Sequence, residues 1–182
     1  VGYLEKKGLA QVQQELQRMR KAQAPAITQA VKSAAEYGEK LAIDAIFNQY
    51  GFKSRSYVEQ NFGLSFNPKS FEGRIFARYR PSTLTRFNHS KAQQISRKRN
   101  SGYKIAVTRN KPVLFRGAFT VLGRNGNQLI FSRKKGDNSW RSLRGQKSLY
   151  GPSVSASFGY LREEIEPKII RHLRDKYRKG LG

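Results

Sequence analysis

The sequence contains no cysteine. That absence excludes disulfide frameworks, thiolate zinc sites, iron–sulfur clusters and cysteine nucleophiles. Histidine is nearly as scarce: His89 and His172 stand far apart, with no His-x-x-x-His pair to suggest zinc. Both are expected to face solvent. No Gly-x-Ser-x-Gly elbow supports a Ser-His-Asp triad. Gly123-Arg124-Asn125-Gly126 lacks the Gly-Lys-Ser/Thr ending of a phosphate loop. No run approaches the roughly 18 consecutive apolar residues of a membrane span. Val1–Lys7 has no apolar core of a signal peptide, so a soluble chain with no membrane partner is expected.

Acid is the other shortage. Twelve Asp+Glu face 36 Lys+Arg, a net charge of +24 on 182 residues. Metal-dependent phosphodiester cleavage needs converging carboxylates. Only Glu163, Glu164 and Glu166 cluster, and Pro167 interrupts the Glu166-Pro167-Lys168 stretch that superficially resembles a nuclease element. These glutamates read better as the acidic start of a helical segment. No catalytic residue, metal ligand or cofactor is therefore assigned.

What is abundant is positive charge, and it is concentrated. Residues 74–147 hold 19 basic side chains against one acidic, Asp137. Residues 1–73 hold 10 basic and 7 acidic, and residues 148–182 hold 7 and 4. Apolar runs such as Tyr103–Val107 and Val113–Phe115 interrupt the basic segment, so it is a folded surface with a basic face rather than a tail. Such self-repulsion calls for an anionic neighbour. Arg78, Arg80, Arg86, Arg97, Lys98, Arg99, Arg133, Lys134, Lys135, Arg141 and Arg144 are the candidates to face DNA or an acidic protein. Guanidinium and ammonium groups displace counterions from phosphates without reading bases. Nothing resembles a helix-turn-helix, zinc finger or RNA-recognition motif, so sequence-specific reading is not expected.

The patterning predicts an α+β domain spanning 1–182: N-terminal helices, a central antiparallel β-sheet with long basic loops, and a C-terminal helix. The helical part covers 1–62, the basic β part 63–150, and the last helix 151–182. Leu9, Val12, Leu16 and Met19 mark one helix over about 8–22. Pro25 suits the first turn of a second, rich in small residues and ending near Tyr50 with Gly51 as its cap. Ser56-Tyr57-Val58-Glu59 matches a capping box for a short third helix, with a plain turn as the alternative. Arg74–Arg80 is strand-like and ends at Pro81. Residues 82–101 are polar and basic, an extended loop. Tyr103–Thr108, Val113–Leu122 and Gln128–Arg133 are strands, the last two joined through Asn125 and Gly126, which tolerate positive φ. Lys134–Leu149 is a second basic loop. Gly151, Pro152 and Ser153 stop it and start a helix whose stripe is Leu161, Ile165, Ile169, Leu173 and Tyr177, kinked or restarted at Pro167.

In order along the chain come Lys7-Gly8-Leu9, the Ala-rich helix after Pro25, Leu84-Thr85-Arg86-Phe87, Gly117-Ala118-Phe119, the Asn125-Gly126 turn and Phe131-Ser132-Arg133. Leu149-Tyr150-Gly151-Pro152-Ser153-Val154 and Phe158 follow. In this succession the chain resembles the minor tail protein Z family, the tail-completion proteins of long-tailed bacteriophages. The resemblance implies a non-enzymatic structural virion protein at the head-proximal end of the tail, made in the host cytoplasm. It implies a homo-oligomeric, hexameric ring contacting tail terminator, tail tube and head-connector proteins, with genomic double-stranded DNA passing or resting beside it. The alternative from composition is a free, non-sequence-specific nucleic-acid-binding protein, nucleoid- or ribosome-associated, and after it a nuclease.

Overall fold

The computed structural model describes residues 2–91, 102–132 and 148–181. The chain is α+β: helices at both ends and small antiparallel sheets between them. Helix α1 runs Gly2–Gln49 and α2 runs Arg55–Glu59. Strands β1 (Phe62–Asn67) and β2 (Glu72–Ala77) pair with each other. Then come β3 (Ser82–Thr83), a 3-10 turn (Leu84–Arg86) and β4 (Asn88–Lys91). Strands β5 (Gly102–Thr108), β6 (Lys111–Arg116), β7 (Ala118–Leu122), β8 (Gln128–Ser132) and β9 (Tyr150–Gly151) precede α3 (Val154–Leu181). The single central sheet expected from sequence is replaced, among the described residues, by β1-β2, β3-β9, β4-β5-β6 and β7-β8.

Four further expectations are corrected. The two N-terminal helices are one, and Pro25 lies inside it on the exposed side. A proline removes one backbone hydrogen bond. Here the freed carbonyl belongs to exposed Lys21, where water can satisfy it, and Ala22, Ala24 and Ala26 favour helix on either side. Pro167 likewise sits inside α3, so the helix does not restart there. The cap of α2 is Ser54, not Ser56: its side chain accepts from the Tyr57 amide at 3.3 Å. Finally, 82–91 is not loop. Ser82, Leu84 and Phe87 are buried, because two apolar side chains three residues apart suffice to pin a polar stretch to the core. Residues 92–101 lie outside the described ones.

The chain divides into two units. The first comprises Val1–Lys40, Leu64–Ile75 and Glu164–Gly182. Its small-residue face is used as its composition suggests: a Cβ on Gly38 would lie 2.7 Å from Ile169 Cδ1 and 2.8 Å from Ile75 Cδ1. Ser33 meets His172 at 3.0 Å and the Tyr177 hydroxyl donates to Gln23 at 3.3 Å. Contacts thus run in opposite directions along the two helices, an antiparallel pair. His172 is half-buried and stacks on Tyr37 at 4.3 Å, which corrects its expected exposure.

The second unit comprises Leu41–Gly63 and Phe76–Glu163. Its core is Ile46, Phe52, Val58, Leu84, Phe87, Ile105, Ile130 and Val154. Phe52 and Phe87 stack at 4.4 Å where the segment after α1 bridges to the segment before β4. Gly51 belongs there: a Cβ would fall 1.9 Å from the Ala106 carbonyl oxygen. Arg109 closes the end of α1. Its amide donates to the Gln49 carbonyl at 2.9 Å, and its guanidinium donates to the Phe47 carbonyl while stacking on the Phe47 ring. A cation on the last carbonyls suits the negative end of the helix dipole. The expected 113–122 strand is broken at Gly117, with φ 69°, so β6 and β7 lie in different sheets.

Candidate anion-binding cleft

The second unit holds a cleft of about 500 Å³, built around the exit of β2. Three guanidinium side chains line it: Arg78, Arg80 and Arg86. Arg78 is fixed by its backbone, its amide donating to the Asn61 carbonyl at 2.8 Å and its carbonyl accepting from the Ser155 amide at 3.3 Å. Arg80 precedes Pro81, and the proline ring confines it to extended backbone. Extended residues two apart share a side. Arg78 and Arg80 therefore both line the cleft, while Tyr79 between them is 82% exposed and does not. Arg86 ends the 3-10 turn with its guanidinium carbon 4.9 Å from the centre of the Tyr57 ring.

The opposite wall is the β7-β8 hairpin loop, with Asn125, Gly126 and Asn127. Gly126 has φ 73° while Asn125 stays at negative φ, and the Gly123 amide donates to the Asn127 carbonyl at 2.8 Å, so the hairpin loop forms with only its glycine in the left-handed region. A hydroxyl relay ties this wall to the arginine wall. The Thr85 hydroxyl donates to the Gln128 carbonyl at 2.9 Å, so the 3.1 Å contact with Thr83 uses the Thr83 proton. The Tyr57 hydroxyl donates to Ser82 at 3.1 Å, and Asn61 donates to the Tyr57 carbonyl at 2.6 Å. Gly151 pairs with Ser82 across β3-β9, leaving Tyr150 at the cleft. Ser153 caps α3 by accepting from the Ala156 amide at 3.0 Å, as expected of Gly151-Pro152-Ser153.

The electrostatics are one-sided. By sequence the second unit carries 21 basic and 4 acidic residues, a net +17 of the chain's +24. Among its described acids, Asp44 and Glu59 are both taken up by Arg55, the latter at 2.8 Å. Those two hydrogen bonds raise the Arg55 pKa. No carboxylate pairs with Arg78, Arg80 or Arg86 among the described residues, and no lining residue is acidic. Nearby, His89 has Nδ1 2.9 Å from the Phe87 carbonyl, so Nδ1 carries the proton and Nε2 accepts from the Lys53 amine at 3.4 Å. Desolvation holds Lys53 below the usual lysine range. His89 is half-buried, again against expectation.

The lining offers cationic donors, amides and hydroxyls, and neither carboxylate nor imidazole. Such a lining suits an anion, since guanidinium forks pair with phosphate or carboxylate oxygens. Among the described residues no three His, Asp or Glu side chains converge as a metal site. Glu164 pairs with Lys168 at 3.0 Å on α3. No helix among the described residues is long and apolar enough to cross a membrane.

Of the candidates chosen from sequence, Arg78, Arg80, Arg86, Asn125 and Gly126 meet in this cleft. Arg97, Lys98, Arg99, Arg133, Lys134, Lys135, Arg141 and Arg144 lie outside the described residues. Tyr57, Asn61, Thr83, Thr85, Gln128 and Tyr150 were not anticipated; the Thr83-x-Thr85 alternation beside Arg86 was the available signal. No family model matches the chain, and neither does any curated protein or solved structure.

Proposed function

We propose that the chain is a non-enzymatic structural protein that holds a polyanion loosely and without reading its sequence, as a phage tail-completion subunit beside DNA would. The observation that carries this reading is the cleft: three arginines share it, no described carboxylate pairs with them, and the surrounding unit has a net charge of +17. Cations unmatched within their own fold favour an external anion. Backbone-directed contact needs only such a face, and weak contacts let a strand slide. The tail setting, a homo-oligomeric and hexameric ring joining tail tube, terminator and head connector, rests on the resemblance of the sequence to the minor tail protein Z family.

The test is genetic. Removing the chain from a phage that encodes it is expected to leave heads and tubes assembled while infectious particles become scarce. Electron microscopy of the purified particles should locate the chain at the head-proximal tail end in the parent. Normal infectivity without the chain, or its absence from particles, would overturn the virion reading and favour a free nucleic-acid-binding protein.

A further inference from the structure

The cleft lining holds more than a bare anion needs. A phosphate or a carboxylate asks only for donors, and Arg78, Arg80 and Arg86 supply them. Beside the arginines stand Asn125, Asn127 and Gln128, whose side-chain amides each carry an acceptor as well as donors. Tyr150 adds an aromatic side chain. Its backbone is held by pairing with Thr83 across β3-β9, yet the residue is 53% exposed and lines the cleft. Tyr57 contributes a second ring, already covered by the Arg86 guanidinium at 4.9 Å. Tyr150 has no such cover among the described residues. The space itself, about 500 Å³, has the size of a small-molecule site.

These features together select among polyanions. In a duplex the bases are paired and stacked on one another, so phosphates reach the arginines while Tyr150 gains no partner. An acidic side chain likewise leaves the ring and the amide acceptors unused. An unpaired base uses all three: aromatic rings in a basic groove stack single-stranded bases, whatever their identity, because every base has a π face. Side-chain amides serve the donors and acceptors of a base edge. We propose, resting on the polyanion reading of this cleft, that its preferred occupant is one unpaired nucleotide of a single-stranded nucleic acid. Its phosphate sits at Arg78, Arg80 and Arg86 and its base lies against Tyr150. A duplex meets the guanidinium groups alone and is held more loosely.

The experiment uses the full chain and fluorescein-labelled twelve-base DNA, followed by anisotropy at physiological salt. The probes are a mixed-sequence single strand, the same strand annealed to its complement, and an abasic strand of equal length. The single strand is expected to bind at least roughly fivefold tighter than the duplex, although the duplex carries the denser charge, and the abasic strand to lose at least roughly fivefold, as one stacked base is worth. Tyr150→Ala should lower the intact strand to the abasic level, and Tyr150→Phe should restore it. Tyr79→Ala, at an exposed tyrosine outside the cleft, should leave it unchanged. Equal affinity for intact and abasic strands, or tighter binding of the duplex, would overturn the proposal even if Tyr150→Ala failed to fold. So would displacement of the strand by a glutamate dodecamer as readily as by unlabelled strand, since the occupant would then be an acidic segment. If intact and abasic strands bind equally while duplex affinity still depends on salt and on Arg78, the nucleotide assignment alone fails; if no nucleic acid binds, the polyanion reading fails with it.

Discussion

Individual residues carry the sharpest consequences. Gly51 tolerates no side chain, since its Cβ would sit 1.9 Å from the Ala106 carbonyl oxygen, a backbone atom that cannot swing away. Gly51→Ala should destabilise the fold by more than about 2 kcal/mol, read as a lower midpoint in urea unfolding. An unchanged midpoint would show that the close approach after α1 is absent. Within the cleft, Arg78→Ala should weaken binding to duplex DNA similarly for unrelated sequences and flatten the salt dependence by roughly one. A loss confined to one DNA sequence would mean that Arg78 reads bases.

Among the elements, the start of α3 offers a clean test. Ser153 accepts the Ala156 amide, and Ser153→Ala should cost about 1 kcal/mol, the usual loss of an N-cap. Replacement by Asp should restore most of it, because an acidic cap also meets the helix dipole. This cap was legible in the sequence because Gly-Pro-Ser is a local signal. So were the Asn125-Gly126 turn, the Leu161–Tyr177 stripe and the existence of β5 and β8, each fixed by neighbours along the chain. The continuity of α1 through Pro25 was not legible, because proline preferences mark a break and only an exposed side with helix-favouring flanks allows passage. The division into small sheets was equally hidden. It depends on Gly117 turning one apolar run into two strands, and on Leu84 and Phe87 anchoring a polar segment. Half of the cleft was visible as arginines. Its other half, Tyr57, Thr83, Thr85 and Gln128, comes together only through long-range contacts of α2 with β3 and of the 3-10 turn with β8.

Taken as a whole, the molecule is basic in both units, with the larger share of the charge, +17 against +7, in the second. The helical unit holds 15 basic and 8 acidic residues, and its small-residue face packs α1 closely on α3. In the second unit Arg78, Arg80 and Arg86 pair with no carboxylate among the described residues. A polyanion partner is the simplest way to relieve that repulsion. The deciding measurement is affinity for a 30-base-pair duplex across a salt series, for the parent chain and for Arg78→Ala/Arg80→Ala/Arg86→Ala. Parent affinity should fall steeply as salt rises, by the same factor on unrelated sequences, and the triple variant should lower the slope of log affinity on log salt by about three. A variant that keeps the parent's slope and affinity, with its fold intact, would contradict the assignment of this cleft to a polyanion.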